Sequence, residues 1–278
     1  MKRLYELVTM LQELFDLFIK NEKESLHLLA ILMITIGFVV FIILMYQPAT
    51  YGRYSSTGRI YSIAVPPKTA WFLQELPSFL IPTLLMTFSL CGHEKLGVYS
   101  ASQLIVLSCF TLHYFQRTFV YSLKLQGGKP TPLFAFLLAT IFCTVNGYMQ
   151  ARGALLLTAY HNNTQTLLRI GVGILIFAYG LYVNIYSDHL LRNLRKPGEK
   201  GYKVPRGGWF EYVSCANFFG EMIEWFGFFV ASFSSVSFAF SFFTVANLLP
   251  RAIFHHRWYK EKFEDYPKNR KAVIPFLI

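Results

Sequence analysis

Nineteen residues from Leu28 to Tyr46 pass without a charge. Comparable apolar runs recur at about 70–90, 101–123, 132–149 and 169–187, and 211–249 is long enough for two short ones broken near 230–235. About 20 apolar residues at 1.5 Å per residue cross a hydrocarbon slab about 30 Å thick. The chain therefore reads as an all-α, polytopic integral membrane protein with about seven transmembrane helices, or six if 211–249 does not cross twice. Only 15% of its 278 residues are charged, against about 25% in a soluble domain. Ahead of the first run, Leu4, Leu7, Val8, Leu11, Leu14, Phe15 and Phe18 share one helical face, with Glu6, Glu13 and Asp16 off it. Residues 1–24 thus form an amphipathic N-terminal extension, and 25–278 a single membrane-embedded domain.

The net charge of +11 raises the question of nucleic acid, but its placement points elsewhere. Thirteen of the 26 Lys and Arg lie in 187–208 and 251–278, and basic clusters between spans mark the cytoplasmic face. No nucleic-acid motif accompanies them. With seven spans and an outside N-terminus, both clusters and the C-terminus fall in the cytoplasm, and the Asn162 sequon falls outside. The compartment follows from the source: endoplasmic reticulum in a eukaryote, inner membrane in a bacterium. Cys91, Cys109, Cys143 and Cys215 sit far apart, with neither zinc nor disulfide spacing.

Polar residues in spans are costly and usually face a cavity, and here they are periodic. Asn184, Asp188 and Arg195 stand at offsets 0, 4 and 11, on one sector if the helix continues; Asn217, Glu221 and Glu224 at 0, 4 and 7; Arg251, His255 and Tyr259 at 0, 4 and 8. Bonds between helices alone return little, about 0.6 kcal/mol each. A polar, anionic ligand between the helices accounts better for amides, acids and arginines together. No G-x-G-x-x-G follows a strand and no P-loop occurs, so any nucleotide is held by the bundle itself.

Glu75 is a second pointer, a carboxyl at membrane depth beside Trp71, Phe72 and Phe79. Kept neutral, such a group donates a hydrogen bond to a carbonyl oxygen, and Tyr114 offers another donor for an electrophilic pair. An ion pair with Arg117 is the competing reading for Glu75, and interface packing for Tyr114.

Several longer passages resemble the steroid 5-alpha-reductase family. They are Ala70-Trp71-Phe72-Leu73-Gln74-Glu75-Leu76-Pro77, Leu112-His113-Tyr114-Phe115, Leu194-Arg195-Lys196-Pro197-Gly198-Glu199, Ala216-Asn217-Phe218-Phe219-Gly220-Glu221 with Glu224-Trp225, and Phe263-Glu264-Asp265-Tyr266-Pro267. The likeness covers all but about the first 45 residues and leans to the type 2 branch.

The resemblance implies a seven-helix membrane enzyme that reduces the Δ4 double bond of 3-oxo-Δ4-steroids with NADPH. Glu75 and Tyr114 would hold the 3-oxo group. Tyr51, Asn184, Asp188, Arg195, Tyr202, Asn217, Glu221, Arg251, His255 and Tyr259 match cofactor positions, so 184–278 would be mainly NADPH-binding. Gln74, Phe142 and Trp225 would wall the nicotinamide and steroid ends, and Arg270 matches a family arginine. Lys129 and Lys203 stand where relatives often carry arginine, and lysine lacks its bidentate fork. The expected partners are a steroid or other enone lipid and membrane lipid, with the chain a monomer and no metal. A related membrane ene-reductase acting on polyprenols or long-chain enoyl-CoA is the alternative.

Overall fold

The computed structural model describes residues 9, 20–49, 63–93, 97–158, 160, 163–195, 199 and 201–278. The expected amphipathic helix over 4–19 and the Asn162 sequon lie outside them. The described residues build seven long helices: α1 (Glu22–Tyr46), α2 (Pro67–Leu90), α3 (Ala101–Phe115), α4 (Leu133–Leu156), α5 (Thr164–Arg192), α6 (Ala216–Ser232) and α7 (Ser235–Lys262). Five of them, α1, α2, α4, α5 and α7, are long and apolar enough to cross a membrane. α3 is carried on by a π-helical turn, Gln116–Tyr121, into a last turn, Ser122–Lys124. α6 is 17 residues long. This is an all-α polytopic membrane protein, and its outer faces agree: Leu28, Ile31 and Leu175 are left exposed, as lipid-facing side chains should be.

The helix ends follow local chemistry. Ser100 and Gln103 form a capping box at the start of α3, Asn163 caps α5 through Thr166 N, and Ser234 with Ser237 boxes α7. The break expected near 230–235 is a single left-handed residue, Phe233, with φ 51°. The last helix does not stop at 249, the end of the apolar stretch, before Pro250. α7 runs through it to Lys262, so the basic tail begins as a continuation of the last long helix. A two-residue antiparallel ladder joins β1 (Ala64–Val65) to β2 (Thr131–Pro132), tying the approach to α2 to that of α4.

Two seams set the site. On α5 and α6, Gly173, Gly180, Gly220 and Gly227 let the backbones approach until a Cβ on Gly180 would stand 2.3 Å from Glu224 N, and one on Gly220 2.5 Å from Asn184 N. Small residues at such crossings are how helices pack without a hydrophobic drive between them. On α2 and α4, Gly147 lies against Pro77 and Ser78, where a Cβ would meet Ser78 Cα at 3.0 Å. Pro77 and Pro82 inside α2 remove two backbone donors. Ser78 Oγ, in the same stretch, donates across to the Cys143 carbonyl at 2.8 Å.

Candidate active site

The first two predicted stripes meet at one end of the α5–α6 seam. Asn184 Nδ2 donates to the Asn217 carbonyl at 3.0 Å, and Asn217 Nδ2 to Asp188 Oδ1 at 3.2 Å. Asp188 Oδ2 accepts from Arg117 Nη1 at 2.9 Å. Arg117 comes from the π turn, buried, with its guanidinium 4.7 Å from the Trp71 ring and 4.1 Å from the Tyr121 ring. Glu221, Glu75 and Asp188 all act on it electrostatically. A π turn often marks a functional position, and here it sets a cation among three carboxylates.

That pairing bears on the competing reading of Glu75. Arg117 bonds Asp188, and among the described residues Glu75 forms no salt bridge. Its partners are Gln74, whose Nε2 donates to Oε1 at 3.3 Å, and the Cys143 thiol, 3.8 Å from Oε2. Tyr114 is buried, with Ser78, Glu75 and Cys143 as its polar neighbours. Glu75 and Tyr114 are thus brought to one locality by Ser78 and Cys143, at the Gly147 crossing. Phe142 stacks on Phe243 at 4.8 Å, and Trp225 is enclosed by Phe110, His113, Phe228 and Phe240. An apolar wall with a few convergent polar groups suits a lipid-like substrate.

The third stripe lies alongside. The Arg251 guanidinium sits 5.2 Å from the Phe218 ring, His255 packs on the same ring at 6.0 Å, and Tyr259 stacks on Tyr266 at 5.4 Å. Tyr202 meets Trp258 edge-on at 4.9 Å. Lys203 pairs with Glu199 on the surface.

One placement needs correction. α5 ends at Arg192, so Arg195 stands beyond the helix, exposed, with Nη1 on the Gly201 carbonyl at 3.3 Å. The helical sector expected to include it stops short. The arginine that continues Asn184 and Asp188 on the same face is Arg192, four residues on. It carries a buried Nη1 without a partner among the described residues and lies 5.7 Å from the Tyr121 ring. The offset was readable in the sequence, and the Asn193 cap was not. Tyr51 lies outside the described residues.

Among the described residues, buried Asn184 Oδ1 and Arg192 Nη1 both lack hydrogen-bond partners, where most buried polar atoms find one. An orphan acceptor and an orphan cationic donor beside amides, acids and a second arginine fit a ligand with both neutral polar groups and phosphates.

Comparison with known proteins decides the family. A family model for 3-oxo-5-alpha-steroid 4-dehydrogenase matches residues 129–278. The bovine 3-oxo-5-alpha-steroid 4-dehydrogenase 1 is 46% identical over 92% of this chain and 98% of its own length. The chain belongs to this family. The mouse type 1 protein is 49% identical over 87% of this chain and 93% of its own, and the human type 2 protein 44% over 83% and 89%. These identities do not single out the type 2 branch toward which the sequence passages leaned. Family membership makes the chain a membrane oxidoreductase, and both the Glu75–Tyr114 locality and the α5–α6 polar network are then read in that light.

Proposed function

We propose that the chain reduces the Δ4 double bond of a 3-oxo-Δ4-steroid, with NADPH as the reductant and a 5-alpha-reduced 3-oxo-steroid as product. The observation that carries this is the convergence of Glu75 and Tyr114 at an aromatic-walled crossing in a chain 46–49% identical to the bovine and mouse 3-oxo-5-alpha-steroid 4-dehydrogenases 1. Two hydrogen-bond donors aimed at the 3-oxo group draw electron density from the conjugated alkene toward oxygen as enolate character develops. Gln74 Nε2 and the Cys143 thiol both point at the Glu75 carboxyl and fix its orientation. Ser78 lies beside the Tyr114 hydroxyl. Trp225, Phe142 and their neighbours exclude water and hold the flat apolar skeleton.

NADPH, when bound, supplies the hydride for the β-carbon; the α-carbon takes a proton. Asn184, Asp188, Asn217 and Glu221 would hold its neutral polar groups, with Arg117, Arg192 and Arg251 available to its phosphates. Tyr202, His255 and Tyr259 line the continuation toward the C-terminal segment, and Arg195 borders it from the surface. The basic end of the bundle faces the cytoplasm, where a soluble cofactor enters.

The test is NADPH oxidation by the detergent-purified chain with testosterone or progesterone, with mass and stereochemical analysis of the product. A gain of two hydrogens with 5-alpha configuration is expected. NADPH binding without any product moves the substrate to another enone lipid, such as a polyprenol-derived ketone or an enoyl-CoA. Absence of NADPH binding by folded protein overturns the cofactor assignment.

A further inference from the structure

Two buried polar residues have no part in the proposed binding of steroid or cofactor. His113 Nδ1 and Glu224 Oε1 lie 2.6 Å apart, linking α3 to α6 inside the bundle, with 3% and 0% of the residues exposed. Which of the two donates depends on the imidazole tautomer. Glu224 Oε2 has no partner, so His113 is the single hydrogen-bonding anchor of that carboxylate among the described residues. Each residue precedes a member of the substrate end: His113 precedes Tyr114, and Glu224 precedes Trp225.

Their rings and backbone form a closed set. The His113 ring stands 4.5 Å from Trp225 and 5.1 Å from Tyr114, and Tyr114 stands 6.0 Å from Trp225. Glu224 itself rides on a part of α6 that Gly180 holds tightly against α5, which has no room to shift. Tyr114 lies on α3 just before the π turn at Gln116, where regular helical bonding is given up. A carboxylate in an apolar span costs about 2.5–3.5 kcal/mol on insertion scales, and a leucine would fill the same space without that cost.

We propose that His113 and Glu224 form a positioning brace, which transfers the fixed geometry of the α5–α6 seam to the Tyr114 ring and keeps its hydroxyl at Ser78 and Glu75. The inference rests on the reading of Tyr114 as a donor to the substrate carbonyl, and extends it to residues that touch neither substrate nor cofactor. The brace needs a hydrogen bond and not a charge. A neutral hydrogen-bonding group at 224 serves it, and an apolar side chain does not.

The experiment measures kcat and KM for testosterone with saturating NADPH in five proteins: wild type, Glu224→Gln, Glu224→Leu, Tyr114→Phe and the Glu224→Leu/Tyr114→Phe double variant. Glu224→Leu should lower kcat about thirtyfold, within the loss an ångström-scale misplacement produces, with KM changed less than about threefold. Glu224→Gln should recover most of kcat, because its amide can accept or donate the same bond. In the Tyr114→Phe background the Glu224→Leu loss should disappear, since a residue acting through the hydroxyl has nothing left to act on. Losses that multiply in the double variant, an undiminished Glu224→Leu, or a Glu224→Gln as impaired as Glu224→Leu each overturn the brace. Tyr114→Phe with wild-type kcat overturns the reading of Tyr114 itself, whatever Glu224 does. Should Glu224→Leu not fold, His113→Asn takes its place. Its amide nitrogen sits where Nδ1 was and keeps the bond, so it should retain kcat within about fivefold while His113→Leu does not; equal loss in both overturns the brace.

Discussion

The α5–α6 seam and the α2–α4 seam are both close helix crossings made at glycine, yet they carry opposite kinds of order. On α5–α6 four glycines in register leave no slack along the contact, and the side chains above it form a chain of bonds from Asn184 through Asn217 and Asp188 to Arg117. On α2–α4 one glycine faces a helix that carries Pro77 and Pro82, and among the described residues Glu75 is held by an amide at 3.3 Å and a thiol at 3.8 Å. On the proposed function, the rigid seam serves a large polar ligand with many contacts. On the same proposal, the looser one leaves a carboxyl with hydrogen-bonding capacity to spare for a substrate carbonyl.

The sharpest way to break this contrast is to add one methyl group. Gly180→Ala places a Cβ 2.3 Å from the Glu224 backbone nitrogen, and no rotamer relieves a clash with backbone. Overpacking of this kind costs about 1–3 kcal/mol or more, so the thermal midpoint in detergent should fall by roughly 5 °C or more, with loss of monodisperse protein. Gly171→Ala on the same helix meets nothing within 4 Å and should leave the midpoint unchanged. If the two variants behave alike, the seam is not rigid.

On the looser seam the expected effect is on chemistry instead. Glu75→Gln keeps the shape of the side chain and a donor, but removes the carboxyl's ability to share a proton with a developing enolate. A fall in kcat of about a hundredfold is expected, the loss typical of one oxyanion donor, while NADPH affinity stays near wild type. Retained turnover would remove Glu75 from the mechanism. A parallel loss of cofactor binding would show that the two seams do not work separately.

The two regions also differed in how far the sequence could be read. The i, i+4 spacing of Asn184 with Asp188 and of Asn217 with Glu221 placed a polar cluster correctly, because helical periodicity fixes a side chain's sector wherever the helix persists. It failed at Arg195, where the Asn193 cap ends the helix, and at Pro250, where neighbouring helices hold α7 together through a residue that usually stops one. Arg117 and His113 were visible as ionisable residues in a span, but their partners, Asp188 and Glu224, lie 71 and 111 positions away. No periodicity reports a contact at that separation. The π turn that carries Arg117 adds a residue to the helical count, so its sector could not be read from spacing either.

The displaced arginine can itself be tested. Arg192→Ala removes a buried donor without a protein partner among the described residues. If phosphate occupies that place, NADPH affinity should fall about ten- to a hundredfold, the scale of one charge-assisted bond. Arg195→Ala, exposed and beyond the helix end, should weaken binding less than about fivefold, as surface charges do. Isothermal titration with NADPH distinguishes them. The reverse order would restore Arg195 to the cofactor site and leave the Arg192 guanidinium a packing group over Tyr121.

The smallest expected effect lies outside the bundle, where the C-terminal segment docks on the α5–α6 connection. Arg270 is buried, its Nη1 donating to the Pro205 carbonyl at 2.9 Å and its Nη2 3.6 Å from Glu211. The Gly207 backbone N–H donates to the Glu211 carboxylate at 2.6 Å. That bond, then Arg270 and Arg206 nearby, hold the carboxyl below its ordinary value of 4.5. A depressed folded-state value means the contribution is fully present above the unfolded value and fades as pH falls through the folded one. Thermal midpoints measured from pH 7 down to pH 3 should therefore lose less on the acid side in Glu211→Gln than in the wild type, with the two curves converging at the lowest pH. Glu211 is itself about half exposed, so solvent screens the effect and the gap at pH 7 should be small. Superimposable curves would show that Arg270 holds the C-terminal segment through the Pro205 carbonyl and the Tyr266 ring alone, and that this docking, unlike the two seams, owes nothing to charge.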